Sequence, residues 1–300
     1  MTQRFSQAAP SVAAVHDLSG VGRCALTVVI PVLAAMGLQP CPLPTAVLST
    51  HTGGYTGMAV KDLTDFMPAY IAHWKSLNLK FDALYTGYLA CEAQADLVLD
   101  LFAWQKALCR PFIVVDPVMG DEGELYSTMT VAMAREMRRL CAMADVITPN
   151  LTEAHLLLGQ DYQTAPRTPA QIQDMLSALL ELGPKHALIT SMPTSSGPAN
   201  VCMSRGDAGY HQCAYPMLPV QYPGTGDLFA SVLTGAMVKG EPLQNAMNRA
   251  SHAVYRAVRD TWALGTEVRA GVQLELSLNN LWDEPDAGRL RYVRPQSAKI

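Results

Sequence analysis

The stretch Phe112-Ile113-Val114-Val115-Asp116-Pro117-Val118-Met119-Gly120-Asp121 opens with four apolar residues and stops abruptly at Asp116-Pro117. An apolar run of this kind has no polar face. It suits a strand buried on both sides, as in a parallel sheet sandwiched between helices. The same alternation extends outward in both directions. Upstream, residues 11–15, 42–49 and 82–86 predict strands, and residues 23–36, 61–77 and 93–108 predict helices. Pro31 is expected to kink the first of these helices. Downstream, residues 130–141 read as a helix and Val146-Ile147 as a short strand. A helix to Leu158 follows, with Thr152 in its cap region, Asn150 as the other candidate cap, and Gly159 just past its end. Residues 169–182 predict a helix, residues 187–190 a strand, and residues 200–204 with 209–214 a hairpin. Two late helices are expected at 226–238 and 242–258.

Strands alternating with helices imply an α/β fold, a mainly parallel central sheet flanked by helices on both faces. No repeat or linker interrupts it. One domain is expected over residues 1–300, with a core at about 12–282 and a polar tail at 283–300. In such sheets ligands bind beyond the carboxyl ends of the strands.

Charged residues are 16% of the chain and 49% is apolar, which marks a compact core and not a disordered segment. The net charge of −4, with no basic block, argues against nucleic acid as the partner. The seven cysteines are odd in number and form no C-x-x-C pair, so a reducing cytoplasm is expected. The polar N-terminus has no apolar signal core, and no apolar stretch suggests a membrane span.

Three clusters carry chemistry. Pro223-Gly224-Thr225-Gly226-Asp227 opens a helix. Two glycines there let backbone N–H groups converge at a positive helix end, which suits a phosphoryl group. Asp227 beside such an anion hole suits a base that accepts a hydroxyl proton, although Asp as a simple helix cap is the plain alternative. Asp116 and Asp121 follow the buried strand and suit a magnesium ion, or else a solvated turn. Thr148-Pro149-Asn150-Leu151-Thr152-Glu153 lies at a third strand end. Glu153 there either holds a metal-bound water or serves as a capping residue.

Together these segments resemble the ribokinase-like kinases. Gly224 to Asp227 looks like their anion-hole signature. Asp116 to Asp121 and Thr148 to Glu153 resemble segments of the vitamin B6 and hydroxymethylpyrimidine kinases. Ser49-Thr50-His51-Thr52-Gly53-Gly54-Tyr55 and Thr86-Gly87-Tyr88-Leu89 resemble the pyridoxal kinases. The resemblance implies a three-layer ribokinase-like sandwich and ATP-dependent phosphorylation of a B6 vitamer. It implies Asp227 as base, with Gly224, Thr225 and Gly226 holding the transferring phosphoryl. Asp121 and Glu153, with Asp116, would serve Mg2+. Asp116, Thr148, Thr190 and Ser191 would lie near the ATP phosphates or a K+ ion, and Asn150 would position the nucleotide. Thr52 and Tyr88 would contact the pyridine ring. A homodimer is the assembly the resemblance suggests.

The run His16-Asp17-Leu18-Ser19-Gly20-Val21-Gly22 departs from the pyridoxal kinase pattern and is nearer the hydroxymethylpyrimidine kinases. His16, Asp17 and Ser19 are expected at the substrate ring, with Asp17 reading an amine. A hydroxymethylpyrimidine or hydroxymethylpyrimidine phosphate kinase is therefore the near alternative, with Arg23 as the available cation for a second phosphate. A non-catalytic B6 or nucleotide binder is the alternative from another class. A dinucleotide-binding oxidoreductase lacks its third glycine at Gly20-Val21-Gly22.

Overall fold

The computed structural model describes residues 8–285 and 289–295. It begins with β1 (Ser11–Val21), α1 (Leu26–Ala35), β2 (Gln39–Thr50), β3 (Val60–Asp62), α2 (Met67–Ser76), β4 (Ala83–Thr86) and α3 (Ala93–Leu108). Next come β5 (Phe112–Val115), β6 (Gly120–Asp121), β7 (Glu124–Leu125), α4 (Val131–Cys141), β8 (Val146–Ile147), α5 (Leu151–Leu158) and α6 (Pro169–Glu181). The last part holds β9 (His186–Thr194), β10 (Gly197–Ser204), β11 (Tyr210–Ala214), α7 (Thr225–Val238), α8 (Leu243–Leu264) and β12 (Leu290–Val293).

Ten strands form one sheet in the order β12-β11-β10-β9-β8-β5-β4-β1-β2-β3. The stretch from β9 to β2 is parallel, and antiparallel strands close both edges. Side chains alternate between two cores. Val15, Leu84, Ile113 and Ile147 face one helical layer with Met137 of α4 and Leu176 of α6. Ala14, Tyr85, Val114 and Val146 face the other, with Val29 of α1, Leu233 of α7 and Ala250 of α8. The result is the three-layer α/β sandwich expected from the apolar runs.

The chain steps from β1 outward to β2, then returns across β1 to β4. Strand order therefore reverses at the β1–β4 boundary, where a crevice opens beyond the carboxyl ends. Just past this point the β1–β2 register slips between His16 and Leu18, so Asp17 faces both Thr45 and Ala46. Such bulges re-aim side chains, and this one lies at the mouth of the crevice.

Two local expectations, a helix start at 61 and an unpatterned tail, need correction. Residues 61–66 are not helical: Val60–Asp62 pairs antiparallel with β2, and α2 begins at Met67. Pro68, which lacks an N–H, fits the first turn of that later start. Of the two candidate caps, α5 uses Asn150, whose side chain accepts from the Glu153 amide while Glu153 accepts from the Asn150 amide. The supposed polar tail contains β12, which pairs with β11 and sets Tyr292 against His211. Its apolar content is too short to stand out without the partner strand. Helix α1 runs through Pro31 without interruption.

Candidate active site

A continuous cleft of about 1070 Å³ runs along the carboxyl edge of the sheet. Most of the residues singled out above line it: His16, Asp17, Ser19, Thr52, Tyr88, Asp116, Asp121, Thr148, Asn150, Glu153, Thr190, Ser191 and Gly224 to Asp227. The volume exceeds what one small ligand fills, and it is divided between two walls.

At the centre stands Asp227, in the first turn of α7. Gly224 precedes the helix with φ 81°, a left-handed conformation that glycine adopts freely. A Cβ there would overlap the Arg23 carbonyl oxygen. The turn thus brings the opening amides of α7, which have no intrahelical acceptor, to the cleft. The Thr225 hydroxyl folds back onto the Tyr222 carbonyl at 3.1 Å. Asp227 Oδ2 accepts from the Ala25 amide at 2.7 Å, and Oδ1 lies 3.0 Å from His16 Nε2.

His16 is buried and its other ring nitrogen, Nδ1, lies 2.9 Å from Asp17 Oδ1. Burial alone would lower its pKa, but the Asp227 charge and the Asp17 hydrogen bond outweigh burial and push it up to about 10. The two flanking carboxylates favour the imidazolium form, while the Asp17 amide also points at Nδ1 from 3.0 Å. Asp17 Oδ2 in turn accepts from the Ser19 hydroxyl at 3.0 Å. Each Asp17 oxygen thus has one partner inside the protein, and Asp17 also lines the cleft.

The remaining acids lie along the same edge. Asp116 accepts from the Thr148 hydroxyl at 2.9 Å. Burial first, then the charge of Asp227, pushes its pKa up to about 7, while Thr148 and His16 pull it down. Burial and the neighbouring Asp116 hold Glu153 well above the usual carboxylate range, against the pull of two amides. Those amides are Asn150 on Oε2 at 2.8 Å and Met119 on Oε1 at 3.1 Å. Glu153 is therefore a capping residue as well as a cleft acid. Asp121 sits at the exposed rim, and partial burial raises its pKa too.

Carboxylates that raise one another's pKa in a shared cleft suit a divalent cation. Among the described residues no three acid, histidine or cysteine side chains converge into a metal cage. Asp116, Asp121 and Glu153 thus do not form a complete ligand set by themselves. A magnesium ion fits this arrangement by taking its other ligands from water and phosphate oxygens. Among the described residues the lining holds no lysine, and its arginine, Arg269, is paired with Glu267 at 2.8 Å.

The acids make a testable prediction about stability. Their folded pKa values are raised, so the protonated forms favour folding. That contribution is complete below the ordinary carboxylate range and is lost as pH rises through about 7 for Asp116. Without divalent cations the Tm should fall between pH 6 and pH 8. Added Mg2+ should raise the Tm more at pH 8 than at pH 6, as differential scanning fluorimetry would read; an equal shift at both pH values would count against a cation near Asp116 and Glu153.

The other wall was less visible in the sequence. Thr190 bridges to Asn150, and Ser191 adopts φ 55° with its amide donating to Asn200 Oδ1 at 3.0 Å. Tyr215 donates its hydroxyl to Ser191 at 3.0 Å. Pro216, Met217, Val220, Val254 and Val258 complete an apolar flank that no motif announced. On the opposite side His51 lines the cleft, with Nε2 at 2.8 Å from the Arg269 carbonyl and Nδ1 accepting from the Gly53 amide. Its signal lay inside the Ser49 to Tyr55 stretch, but its role as a brace for the 269–271 turn needed the fold. Arg23 points elsewhere: its guanidinium binds Glu275, the Ala270 carbonyl and Gln273, and it is not on the lining.

A three-layer sandwich with an acid-lined crevice and a glycine-flanked helix start carrying an aspartate defines the ribokinase-like class of kinases. Comparison with known proteins agrees. The model of the phosphomethylpyrimidine kinase family matches residues 30–271. A crystal structure of a Bacteroides thetaiotaomicron protein assigned to the phosphomethylpyrimidine kinases is 43% identical, with a TM-score of 0.89, covering 97% of this chain and 100% of that one. A second crystal form of that protein contains pyridoxal. Pyridoxal kinase from Lactobacillus plantarum is 36% identical with a TM-score of 0.81, covering 92% and 97% of the two chains. The pyridoxal kinase PdxY of Deinococcus radiodurans is 26% identical over 78% of this chain and 81% of its own length. The chain belongs to the phosphomethylpyrimidine kinase family.

Proposed function

We propose that this protein phosphorylates the hydroxymethyl group of a B6 vitamer, using ATP and Mg2+. One observation carries the reading: Asp227 lines the cleft at the start of α7, held there by Ala25 and His16. The similarity to a protein crystallised with pyridoxal supports the vitamer as substrate.

On this reading the vitamer lies against Thr52, Tyr88 and His51, with its hydroxyl at Asp227. The triphosphate reaches the same point from the wall formed by Asn150, Thr190 and Ser191. Asp227 accepts the hydroxyl proton as the oxygen bonds to the γ-phosphorus. The bond from γ-phosphorus to the bridging oxygen breaks, and its electron pair leaves with ADP. The opening amides of α7 at Thr225, Gly226 and Asp227 stabilise charge spreading over the phosphoryl oxygens. Asp116, Asp121 and Glu153 would hold magnesium, partly through water, which would neutralise phosphate charge. Closing the cleft against water is the task of the apolar flank around Met217 and Val220.

A pyrimidine monophosphate would need a cation beside the substrate wall. Arg23 is committed to Glu275, and Arg269 to Glu267. This favours an unphosphorylated hydroxymethyl substrate. A cytoplasmic homodimer and a K+ requirement belong to the same reading and are supported by the resemblance alone.

Steady-state assays with pyridoxal, pyridoxine, pyridoxamine, hydroxymethylpyrimidine and its monophosphate test the proposal. The largest kcat/KM should fall to a B6 vitamer, and the monophosphate should be the poorest substrate. Turnover confined to the pyrimidines would assign the protein to their chemistry instead, and ligand binding without ADP release would make it a non-catalytic binder.

A further inference from the structure

His16 is tied down more firmly than lining a cleft requires. Its two ring nitrogens face two carboxylates, Asp17 Oδ1 at 2.9 Å and Asp227 Oδ1 at 3.0 Å. The ring packs directly on Gly87, where an added Cβ would overlap its Cδ2 and Nε2 atoms. Tyr85 meets it edge-on, with ring centroids 6.3 Å apart. The far end of the chain is anchored too, since the Ser19 hydroxyl donates to Asp17 Oδ2. On the other side of Asp227, the Ala25 amide donates from a residue at φ 55° and ψ −136°, a conformation unusual for alanine. Three elements therefore converge to fix one carboxylate: β1 where it pairs with the bulge of β2, the end of β4 and the turn before α1.

We propose that His16 is the positioning residue of the base, clamping Asp227 Oδ1 while the Ala25 amide holds Oδ2, so that the carboxylate's free lone pairs point at the substrate hydroxyl. The proposal rests on the reading of Asp227 as base. A carboxylate on a short side chain would otherwise rotate in the first turn of α7. It would also face Asp116 with no cation from the protein beside it. The charged and titratable groups around His16 are Asp17 from β1, Asp227 from α7, Asp116 beyond β5, Tyr85 from β4 and Cys24 before α1. Of these, Asp17 and Asp227 are the ones that touch the ring. The clamp works while the imidazole carries both protons. That state is kept at neutral pH and is lost as pH rises through about 10.

The test compares His16→Ala, His16→Gln, Asp17→Asn and Asp227→Asn with the unmodified protein. His16→Ala should lower kcat roughly 10- to 100-fold and leave the vitamer KM within about threefold, because misdirecting a catalytic group costs rate more than binding. His16→Gln, which keeps one N–H donor, should recover part of that loss. The pH profile of kcat separates positioning from packing. Asp17→Asn should move the alkaline limb down by about one pH unit or more, because His16 loses a carboxylate partner. His16→Gln should remove that limb. A packing role would lower the Tm and leave the limb in Asp17→Asn unmoved. Normal kcat in both His16 variants, or an unmoved limb in Asp17→Asn, overturns the clamp. If His16→Ala does not fold, the two conservative variants decide. Normal turnover in Asp227→Asn would remove the base itself and the clamp with it; an inactive Asp227→Asn beside normal His16 variants would remove the clamp alone.

Discussion

Asp227→Asn should lower kcat by roughly 100-fold or more, within the range that positioned general bases supply. The replacement is close to isosteric, so the cleft keeps its shape. What changes is the capacity to take a proton. The amide also cannot satisfy both neighbours. Asp227 receives one donor on each oxygen, from His16 and from Ala25. An asparagine offers one acceptor oxygen and turns an NH2 group toward the other donor. That mismatch should cost about 1–3 kcal/mol of stability, since a donor is left unpaired in a part-buried place. Urea unfolding alongside steady-state kinetics separates the two effects. A variant with normal kcat would remove Asp227 from the role of base, whatever its stability.

Gly224→Ala should damage both stability and activity. The backbone there has φ 81°, which strains any L side chain. A Cβ would also overlap the Arg23 carbonyl oxygen, and that backbone has nowhere to go. Arg23 is fixed through its own guanidinium to Glu275, Ala270 and Gln273. A Cβ built at Gly271 would also come within 3.0 Å of that oxygen. Strain and displacement together should cost roughly 3 kcal/mol, the upper part of the usual range for a point substitution. Activity should fall by roughly 100-fold or more, because the amides at the start of α7 would no longer converge on the phosphoryl site. Gly226 meets no such obstacle: nothing lies within 4 Å of a Cβ built there. The packing of the turn therefore does not require glycine at that position. Unfolding midpoints for Gly224→Ala give the check, and an unchanged midpoint would contradict this account of the turn.

The parallel core was legible because a strand buried on both faces leaves a contiguous apolar run. Phe112–Val115 and Ala93–Leu108 lie where the pattern places them. The acid clusters were legible because parallel sheets gather ligands at carboxyl ends, so polar residues after apolar runs point to the cleft. Edge elements were not legible. Val60–Asp62 and Leu290–Val293 are short and depend on β2 and β11 for their pairing. Longer-range relations were also hidden. His16 and Asp227 stand 211 residues apart, and nothing in either local sequence says that they touch. Asp17 was read as a substrate contact because it follows β1, and its hydrogen bonds to His16 and Ser19 were not foreseen. The flank at Met217 and Val254 carries no motif, because an apolar wall asks only for bulk.

The central claim is phosphoryl transfer to the hydroxymethyl group of a B6 vitamer. Mass spectrometry of the products formed from pyridoxal, ATP and Mg2+ tests it most directly. The account predicts a pyridoxal carrying one phosphoryl group on its hydroxymethyl oxygen, formed one-for-one with ADP and absent with Asp227→Asn. Unmodified pyridoxal after prolonged incubation, with ADP formed only by hydrolysis or not at all, would contradict it.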